Sequence, residues 1–331
     1  MTAKASPVTL ALSLQAVGRS GREKARAFLA SGQPPPSELL EKAERALAEA
    51  ARFGFSWVSF EDPDFPHTLK FTSDPPIGLF LRGRFPQGPA VAIVGSRRAS
   101  AYGKEVARYL GRELAGVGVW VISGMARGVD TAAHEGALLA GGPTLAVWGC
   151  GCDRIYPPEN TELAQQIASF GGVVTEYPPG TPPRKEHFPE RNRLIAGLAQ
   201  VLVVVEADQH SGALLSAKLA LDEGREVMAV PGSVFSTLSV GPNGLLRAGA
   251  APVLCAQDVL DALGIQRSTV HPAPSPPEEG LLGFFPDGMS LSVDELAVRS
   301  GMAIPTLLQQ ILALELEGKL IRGADGRWRK R

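Results

Sequence analysis

The sequence predicts an α/β fold, with a Rossmann-like parallel sheet core flanked by a small helical N-terminal domain and a C-terminal winged helix. Between residues 89 and 263, short apolar runs alternate with patterns of helical spacing, which is typical of a doubly wound parallel sheet. Residues 1–60 carry helical patterns, and residues 281–331 carry two helical patterns followed by a hairpin pattern. Helix, turn, helix and hairpin in that order indicate a winged helix.

Composition limits the classes of protein and partner. A chain of 331 residues is too long for one ordinary core, so two or three domains are expected. The formal net charge of −1 means that any basic surface must be local. Three cysteines, two of them in Cys150-Gly-Cys152, provide neither a disulfide framework nor four zinc ligands, which favours a reducing, cytoplasmic setting. No apolar run approaches a membrane span and no signal peptide is evident, so we expect no membrane partner.

The first 60 residues predict a helical domain like SAM or helix-hairpin-helix modules. An apolar stretch begins at Leu10, and a third helix is predicted over Ser37–Ala51. Residues 16–25 resemble a helix-hairpin-helix, but their two glycines are three residues apart rather than the usual two. A packing module is therefore preferred over a DNA-holding hairpin. Residues 61–88, rich in Pro, Asp and Gly, predict a connecting segment packed on the core.

The segment from Val91 to Gly103 organises the predicted core. Val91–Val94 predict a buried strand, and a pattern of helical spacing runs from Gly103 to Val117. Between them lies the turn Gly95-Ser96-Arg97-Arg98. Backbone N–H groups and the dipole at a helix N-terminus favour anions, and arginine can hold phosphate through two parallel hydrogen bonds. A phosphate site is predicted here in preference to a turn with solvated arginines.

Further strands and helices are predicted after this segment. The strands are Val119–Ile122, Thr144–Trp148, Gly172–Thr175, Val201–Val205, Val227–Val230 and Pro252–Leu254. The helices between them are Gly128–Ala140, Glu159–Phe170, Asn192–Leu198 and Gly212–Glu223. Ligands of such sheets bind among the loops at the carboxyl ends of the strands.

Those loops carry the candidate binding residues. Together they hold eight basic and six acidic residues, a surplus of two positive charges that can attract phosphate. Aromatic residues in the same loops can stack on bases. The candidate set for a phosphate or a single-stranded backbone is Gly95, Ser96, Arg97, Arg98, Ser123, Gly124, Arg127, Lys185, Phe188, Arg191, Asn192 and Arg193.

Signatures of catalysis and of cofactor binding are absent from the sequence. The turn after Val94 lacks the dinucleotide pattern G-x-G-x-x-G, and the chain has no P-loop, so no nucleotide cofactor is expected. His134 lies in an alanine-rich segment without metal-ligand spacing, which favours a structural histidine. No set of residues for covalent or metal catalysis emerges. We expect a binding site, with no cofactor and no metal, rather than an enzyme.

Residues 264–280 predict a proline-rich linker before the winged helix. The winged helix is expected to contain helices at Met289–Ser300 and Pro305–Leu316, then a hairpin with a basic tail. A helix that reads DNA exposes Arg, Lys, Asn or Gln. From Ile304 to Glu317, the second helix offers Gln309 and Gln310 together with two glutamates and no base. We therefore expect a module for protein contact or packing, with at most non-specific phosphate contact from the tail.

Several strings together resemble one bacterial family, the DNA-processing proteins called DprA or Smf. The resemblance covers the whole predicted sheet core and extends to the segment before it and to the winged helix. The strings are Gly95-Ser-Arg-Arg-Ala-Ser-Ala-Tyr-Gly103, Ser123-Gly-Met-Ala-Arg-Gly-Val-Asp-Thr-Ala-Ala-His134, Tyr156-Pro-Pro-Glu-Asn160, Phe188-Pro-Glu-Arg-Asn-Arg-Leu-Ile-Ala-Gly197, Glu206 through Ser211-Gly-Ala-Leu-Leu-Ser-Ala217, and Val230-Pro-Gly232.

The resemblance implies a non-enzymatic protein that binds single-stranded DNA (ssDNA) in natural transformation and recombination. Members of the family protect incoming strands, load the RecA recombinase onto them and form homodimers. The resemblance implies DNA contacts for Arg97, Lys185, Arg191 and Arg193. It implies dimer contacts near residues 243–250, with Leu245 and Leu246. The chain has Ser-Gly-Ala-Leu-Leu at Ser211–Leu215 where the family usually has Ser-Gly-Ser-Leu-Ile, which is a conservative departure.

Two other functions remain open from the sequence. The first is a nucleotide-processing hydrolase of the Rossmann class that resembles lysine decarboxylases. That class carries a Pro-Gly-Gly-x-Gly-Thr-x-x-Glu string, which this chain lacks; residues 208–214 occupy the comparable strand end without a matching glutamate. The second is an adaptor protein that carries the fold without binding DNA. Base release from nucleoside monophosphates tests the first alternative, and a shift of single-stranded oligonucleotides tests the second.

Overall fold

The computed structural model describes residues 7–14, 18–265, 280–285, 290–300, 302, 304–323 and 326–330. The chain divides into two units, Met1–Gln266 and Arg267–Arg331. Most of the predicted linker 264–280 lies outside the described residues. None of the described helices is long and apolar enough to cross a membrane.

A nine-stranded sheet forms the centre of the first unit. Its strands are β1 (Ser56–Ser59), β2 (Gly78–Gly83), β3 (Ala90–Val94), β4 (Trp120–Ser123), β5 (Thr144–Val147), β6 (Gly172–Thr175), β7 (Val201–Val204), β8 (Glu226–Ala229) and β9 (Ala251–Pro252). The spatial order is β1-β2-β6-β5-β4-β3-β7-β8-β9. The strands from β3 to β9 pair in parallel, which confirms the predicted Rossmann-like core. The segment before the core adds β2, which pairs antiparallel with both β1 and β6.

Helices lie before the sheet and between its strands. They are α1 (Pro7–Ser13), α2 (Gly18–Ala30), α3 (Ser37–Arg52), α4 (His67–Lys70), α5 (Ala101–Gly116), α6 (Val129–Leu139), α7 (Thr161–Phe170), α8 (His187–Leu198), α9 (Gly212–Asp222), α10 (Val240–Arg247) and α11 (Ala256–Ala262). The helices predicted after the first strand are present, with small shifts at most ends, and α10 and α11 are additional.

The start of one helix is predicted wrongly, and another helix is not predicted. The helix predicted from Asn192 begins five residues earlier, at His187, and the additional helix α10 begins at Val240, where the sequence indicated no helix. Both first turns contain a proline, Pro189 in α8 and Pro242 in α10. Proline is tolerated there because the first N–H groups of a helix have no partner within it. In both places a proline that suggests a loop lies at the start of a helix.

The sheet separates two apolar cores, and β3 shows how. Val91 and Ile93 pack on one face with residues of α5, α6 and α11, whereas Ala92 and Val94 pack on the other with residues of α8 and α9. Successive side chains of a strand point to opposite faces. Because both faces are covered, all four positions are apolar, which explains the continuous run that marked this strand in the sequence.

Helices α1 and α3 form an N-terminal layer against β1 and β2. Leu10 and Ala43 are buried in one cluster with Trp57 and Phe80. The rings of Trp57 and Phe80 meet edge to face, with centroids 4.9 Å apart. The Trp57 indole N–H donates to the Thr9 hydroxyl at 3.0 Å, so its polar group is satisfied within the apolar cluster.

Charges around Asp74 fasten α2 to the core. Arg22 Nε donates to both carboxylate oxygens of Asp74, at 2.9 and 3.1 Å, and Arg193 donates to the Asp74 carbonyl oxygen at 2.8 Å. Arg26 makes a longer ion pair with the same carboxylate, at 3.9 Å. Burial acts to raise the pKa of Asp74, but the hydrogen bond from Arg22 and the charge of Arg193 outweigh it and lower that pKa. Arg22 is buried, which supports the packing interpretation of the segment that resembles a helix-hairpin-helix.

The second unit is a winged helix, as predicted. It contains α12 (Val293–Ser300), α13 (Ile304–Leu316) and the antiparallel strands β10 (Leu320–Arg322) and β11 (Trp328–Lys330). The outer side of α13 exposes an apolar residue every four positions, and α13 contains no Lys or Arg. A base-reading helix presents hydrogen-bonding side chains instead, so this surface supports the prediction of protein contact or packing. The exposed apolar residues are Ile304, Leu308, Leu312 and Leu316.

The charges at Asp74 lead to a prediction about acid stability. Replacing Asp74 with asparagine should lower the free energy of unfolding by about 3 kcal/mol at neutral pH, because it leaves buried cations without their anion. The folded-state pKa of Asp74 is depressed below its ordinary value of 3.8. The contribution of the Asp74 carboxylate to stability is therefore complete above the ordinary pKa, and it is lost as the pH falls through the lower pKa of the folded state. The difference in free energy of unfolding between the wild type and Asp74→Asn should accordingly become smaller as the pH falls below about 5.

Urea unfolding of both proteins at pH 7 and at successively lower pH values measures this difference. If the difference stays constant down to the lowest pH at which both proteins fold, the Asp74 carboxylate is not stabilised by its arginines.

Candidate functional site

The candidate site lies where the connections of the sheet change direction. From β3 the chain moves to β4 on one side, whereas from β7 it moves to β8 on the other. The loops after these two neighbouring strands therefore diverge and leave a crevice at their carboxyl ends, the usual ligand position of such sheets. The loops are joined across the crevice by the Ser96 N–H, which donates to the Glu206 carbonyl oxygen at 2.6 Å. A cavity of about 840 Å³ opens here, and we call it the switch-point cleft.

Eight residues of the predicted set line the switch-point cleft, and four do not. Loops after β3 and β7, the segment before α8 and one face of α8 supply its walls. The predicted residues that line it are Gly95, Ser96, Arg97, Arg98, Lys185, Phe188, Arg191 and Asn192. The predicted residues outside it are Ser123, Gly124, Arg127 and Arg193.

Arg97 and Phe188 form a cation–aromatic pair in the cleft. The guanidinium carbon of Arg97 lies 4.8 Å from the centroid of the Phe188 ring, a cation–π distance. Tyr156 packs on the same ring, with centroids 5.6 Å apart. Arg97, Arg98 and Lys185 are exposed at the rim, and within the described part of the chain none of the three makes a salt bridge. Three cations next to an aromatic ring suit a ligand with both phosphates and flat bases.

The predicted anion position at the N-terminus of α5 is already filled, and that part of the prediction is wrong. Glu206 is buried and accepts hydrogen bonds from the backbone N–H of Ser100 at 2.8 Å and from its hydroxyl at 2.5 Å. Ser100 in turn caps α5 by accepting from the Gly103 N–H at 3.0 Å. A β-carbon at Gly103 would lie 2.2 Å from the Glu206 carboxylate. The Glu206 carboxylate thus occupies the position that an external anion would take at this helix N-terminus, which leaves the side chains of the turn as the groups that could contact a phosphate.

Arg191 forms part of the floor of the cleft, beneath the rim. Its Nη1 donates to the carbonyl oxygens of Gly124, at 2.9 Å, and of Val147, which end β4 and β5 respectively. A β-carbon on Gly124 would lie 2.3 Å from this guanidinium, so Gly124 provides room for Arg191 instead of a phosphate contact. Burial lowers the pKa of Arg191 to about 10, so the group still carries its charge at neutral pH. Ser123 is fully buried and donates to the Ile93 carbonyl oxygen at 2.7 Å, away from any ligand.

Asp130 is a cleft residue that sequence reasoning missed. It lies in the first turn of α6 and accepts hydrogen bonds from the N–H groups of Gly124 and Ala126, at 3.1 and 3.3 Å. Between them Met125 adopts a φ of 55°, a left-handed conformation that is unfavourable for a residue with a side chain. Burial raises the pKa of Asp130, an effect that the nearby charge of Arg191 opposes. An acid in the first turn of a helix, just after a glycine-containing loop, is the signal that could have revealed it.

Arg127 and Arg193 are engaged elsewhere in the molecule. Arg127 pairs with Glu159 on the exposed surface. Arg193 is largely buried and pairs with Glu176 and, at 3.6 Å, with Asp74. Of the eight basic residues counted along the loops, the cleft is therefore lined by the three cations at the rim and the buried Arg191.

The predicted dimer residues lie on α10, beside an exposed apolar loop. Leu245 is half-buried and packs against the core, and Leu246 is also half-buried. Before α10, Val234 and Phe235 are 83% and 96% exposed, and Val240 at its start is 48% exposed. Exposure of an almost complete phenylalanine ring is unusual for a surface that meets only water.

The chemistry of the cleft fits binding. Among the described residues, no three His, Cys, Asp or Glu side chains are grouped as metal ligands. Of the carboxylates that line the cleft, Asp130 is tied to backbone amides and Asp208 accepts the His210 N–H at 2.8 Å. His134 is buried against the Thr144 hydroxyl, and burial lowers its pKa to about 3, so it is a neutral structural residue, as its sequence context indicated.

The sequence matches two family models and is similar to characterised bacterial proteins. A family model described as DNA recombination-mediator protein A matches residues 56–264, and a model of the DprA winged helix domain matches residues 267–326. DNA processing protein DprA of Bacillus subtilis is 39% identical over 229 residues, which cover 68% of this chain and 77% of that protein. Protein Smf of Escherichia coli is 37% identical over 268 residues, which cover 77% of this chain and 72% of the relative.

Two solved structures extend the similarity to the fold. The crystal structure of DprA from Streptococcus pneumoniae aligns with a TM-score of 0.65 and 32% identity, over 78% of this chain and 98% of the other. DprA from Helicobacter pylori, whose structure is described as giving insights into its unique single-stranded DNA binding mode, aligns with a TM-score of 0.57 and 34% identity. That alignment covers 64% of this chain and 97% of the other. The chain belongs to the DprA/Smf family of recombination-mediator proteins.

Proposed function

We propose that this protein binds ssDNA in the switch-point cleft. The observation that carries the proposal is the exposed Arg97 guanidinium at 4.8 Å from the centroid of the Phe188 ring, beside Arg98 and Lys185, which make no salt bridge with any residue that the structure describes. Cations that hold the phosphates and a ring that stacks on a base are the two parts of a site that binds single strands without reading their sequence. The ssDNA binding mode described for the H. pylori relative supports the proposal.

The bound strand is protected and passed to the RecA recombinase, during natural transformation and recombination in the cytoplasm. Support comes from membership of a recombination-mediator family. Among the described residues, the lining of the cleft includes three exposed cations, and a small number of phosphate contacts suits a strand that must be handed on. The protein acts by binding and is not an enzyme.

The proposed DNA contacts predict a defined loss on mutation. Arg97→Ala and Lys185→Ala should each weaken binding of an oligothymidine by about tenfold at moderate salt. Each should also reduce the slope of log affinity against log salt concentration by about 0.7, because one phosphate contact is lost. Fluorescence anisotropy titrations across a salt series, with double-stranded DNA alongside, provide both quantities.

Arg45→Ala is the matched control, since Arg45 lies on α3 with its side chain 72% exposed. It should change neither affinity nor slope. If the Arg97 and Lys185 variants behave like this control, the ssDNA site lies somewhere other than the switch-point cleft.

We also propose that the protein is a homodimer joined through α10 and the loop before it. The apolar surface described above, with Phe235 96% exposed, would be covered by its copy on the partner. Leu246→Asp should convert the dimer to a monomer in sedimentation experiments, because it places a charge in an apolar interface. Leu139→Asp, at a position on α6 that is 70% exposed, should leave the association unchanged. A Leu246→Asp protein that sediments as the wild type does would refute this interface.

A further inference from the structure

Two sides of helix α8 make different contacts. Phe188, Arg191, Asn192 and Ile195 line the cleft, and their spacing of three, one and three residues places them on one side of a helix. Glu190 and Arg193 are three residues apart on a different side, and both make ion pairs outside the cleft. One side of α8 therefore presents cleft residues, and another side makes ion pairs with residues outside the cleft.

The ion-pairing side of α8 contacts helix α2. Arg22 of α2 donates from Nη2 to Glu190 at 3.1 Å while its Nε holds the carboxylate of Asp74. Arg193 pairs with that same carboxylate at 3.6 Å and also with Glu176, at the carboxyl end of β6. Arg22 and Asp74 thus link α2 directly to α8, across 168 residues of sequence between Arg22 and Glu190.

This network is continuous, buried at its centre and balanced in charge. The side chains of Arg22, Asp74 and Arg193 are only 7%, 12% and 12% exposed. Three arginines, counting Arg26, face three carboxylates. In such a network each partner fixes the position of the others, because displacing one leaves a charge without compensation.

The first turn of α8 is held by contacts from two sides. On one side the ring of His187 stacks on Tyr177, with centroids 4.2 Å apart, and Tyr156 packs on Phe188. Glu186 precedes the helix and makes no side-chain capping hydrogen bond, so these side-chain contacts, and those on the other side of the turn, fix its position. The ion pair of Glu190 with Arg22 is thus one of the contacts that hold the first turn, and it lies two residues from the ring on which Arg97 stacks.

We propose that Arg22 and Asp74 are positioning residues for the nucleic-acid site: through Glu190 and Arg193 they hold α8, and with it Phe188, in the geometry that binds ssDNA. The inference rests on the proposed function of the cleft. It gives α2 a part in binding, although none of the residues of this helix lines the cleft. Affinity then depends on how firmly α2 holds α8, and a change at α2 alters binding without touching the DNA.

The test compares the full-length variants Arg22→Ala, Arg22→Lys and Arg97→Ala in oligothymidine titrations across salt, at a temperature where each is fully folded. Arg22→Ala should bind about three- to tenfold more weakly with an unchanged salt slope, because no phosphate contact is removed. Arg97→Ala should lose both affinity and slope. Arg22→Lys should recover part of the affinity, since lysine keeps the charge without the two-pronged hydrogen bond. Arg19→Ala, in an exposed pair on the same helix, should bind as the wild type does.

A double-mutant cycle separates positioning from general destabilisation. In a Phe188→Ala background, Arg22→Ala should cost much less affinity than in the wild type, because the ring that it positions is gone. Glu190→Gln removes a partner that is 44% exposed; it should retain the fold and weaken binding in the same direction, which keeps the test available if Arg22→Ala does not fold.

The outcomes distinguish this inference from the function on which it rests. If Arg97→Ala binds as the wild type does, the cleft is not the DNA site. If Arg97→Ala is weakened while folded Arg22→Ala and Glu190→Gln bind normally, the cleft stands and the positioning role is refuted. A reduced salt slope in Arg22→Ala would also refute it, because Arg22 would then contact phosphate itself.

Discussion

The buried guanidinium of Arg191 is the interaction on which the site depends. It joins α8 to the carbonyl groups that end β4 and β5, and it lies near the Asp130 carboxylate. Burying a charge is costly unless its hydrogen bonds are made within the protein, so these partners fix where α8 can lie. The same group places a positive charge in the floor of the cleft, which adds to the positive potential of the exposed cations in the proposed binding mode.

Glu206 determines which groups of the cleft remain available to an anion. It accepts hydrogen bonds from Ser100, the cap of α5, and so occupies the N-terminus of that helix; its carbonyl oxygen also joins the loops after β3 and β7. In the proposed binding mode, affinity resides in exposed side chains at the rim and not in a ring of backbone amides. A nucleotide cofactor held for many turnovers needs a ring of that kind, whereas side chains at an open rim allow a strand to enter, shift and leave.

The sheet and the location of the cleft could be predicted from sequence, because they follow from local signals. Apolar runs such as Val91–Val94 mark strands buried on both faces, and parallel strands place their following loops at one edge. The partners of individual charges could not be predicted, because they come from distant parts of the chain. Arg193 follows Arg191 by two residues, yet one meets Asp74, 119 residues away, and the other meets the ends of two strands. With the true start of α8 at His187, helical spacing would have separated these two faces.

The most direct measurement is the structure of the protein bound to a short oligothymidine. The account predicts a phosphate within about 3 Å of the Arg97 or Lys185 side-chain nitrogens, a base against Phe188, and α8 still paired with Arg22. A strand that lay on the winged helix or along another surface, with the switch-point cleft free of DNA, would contradict it.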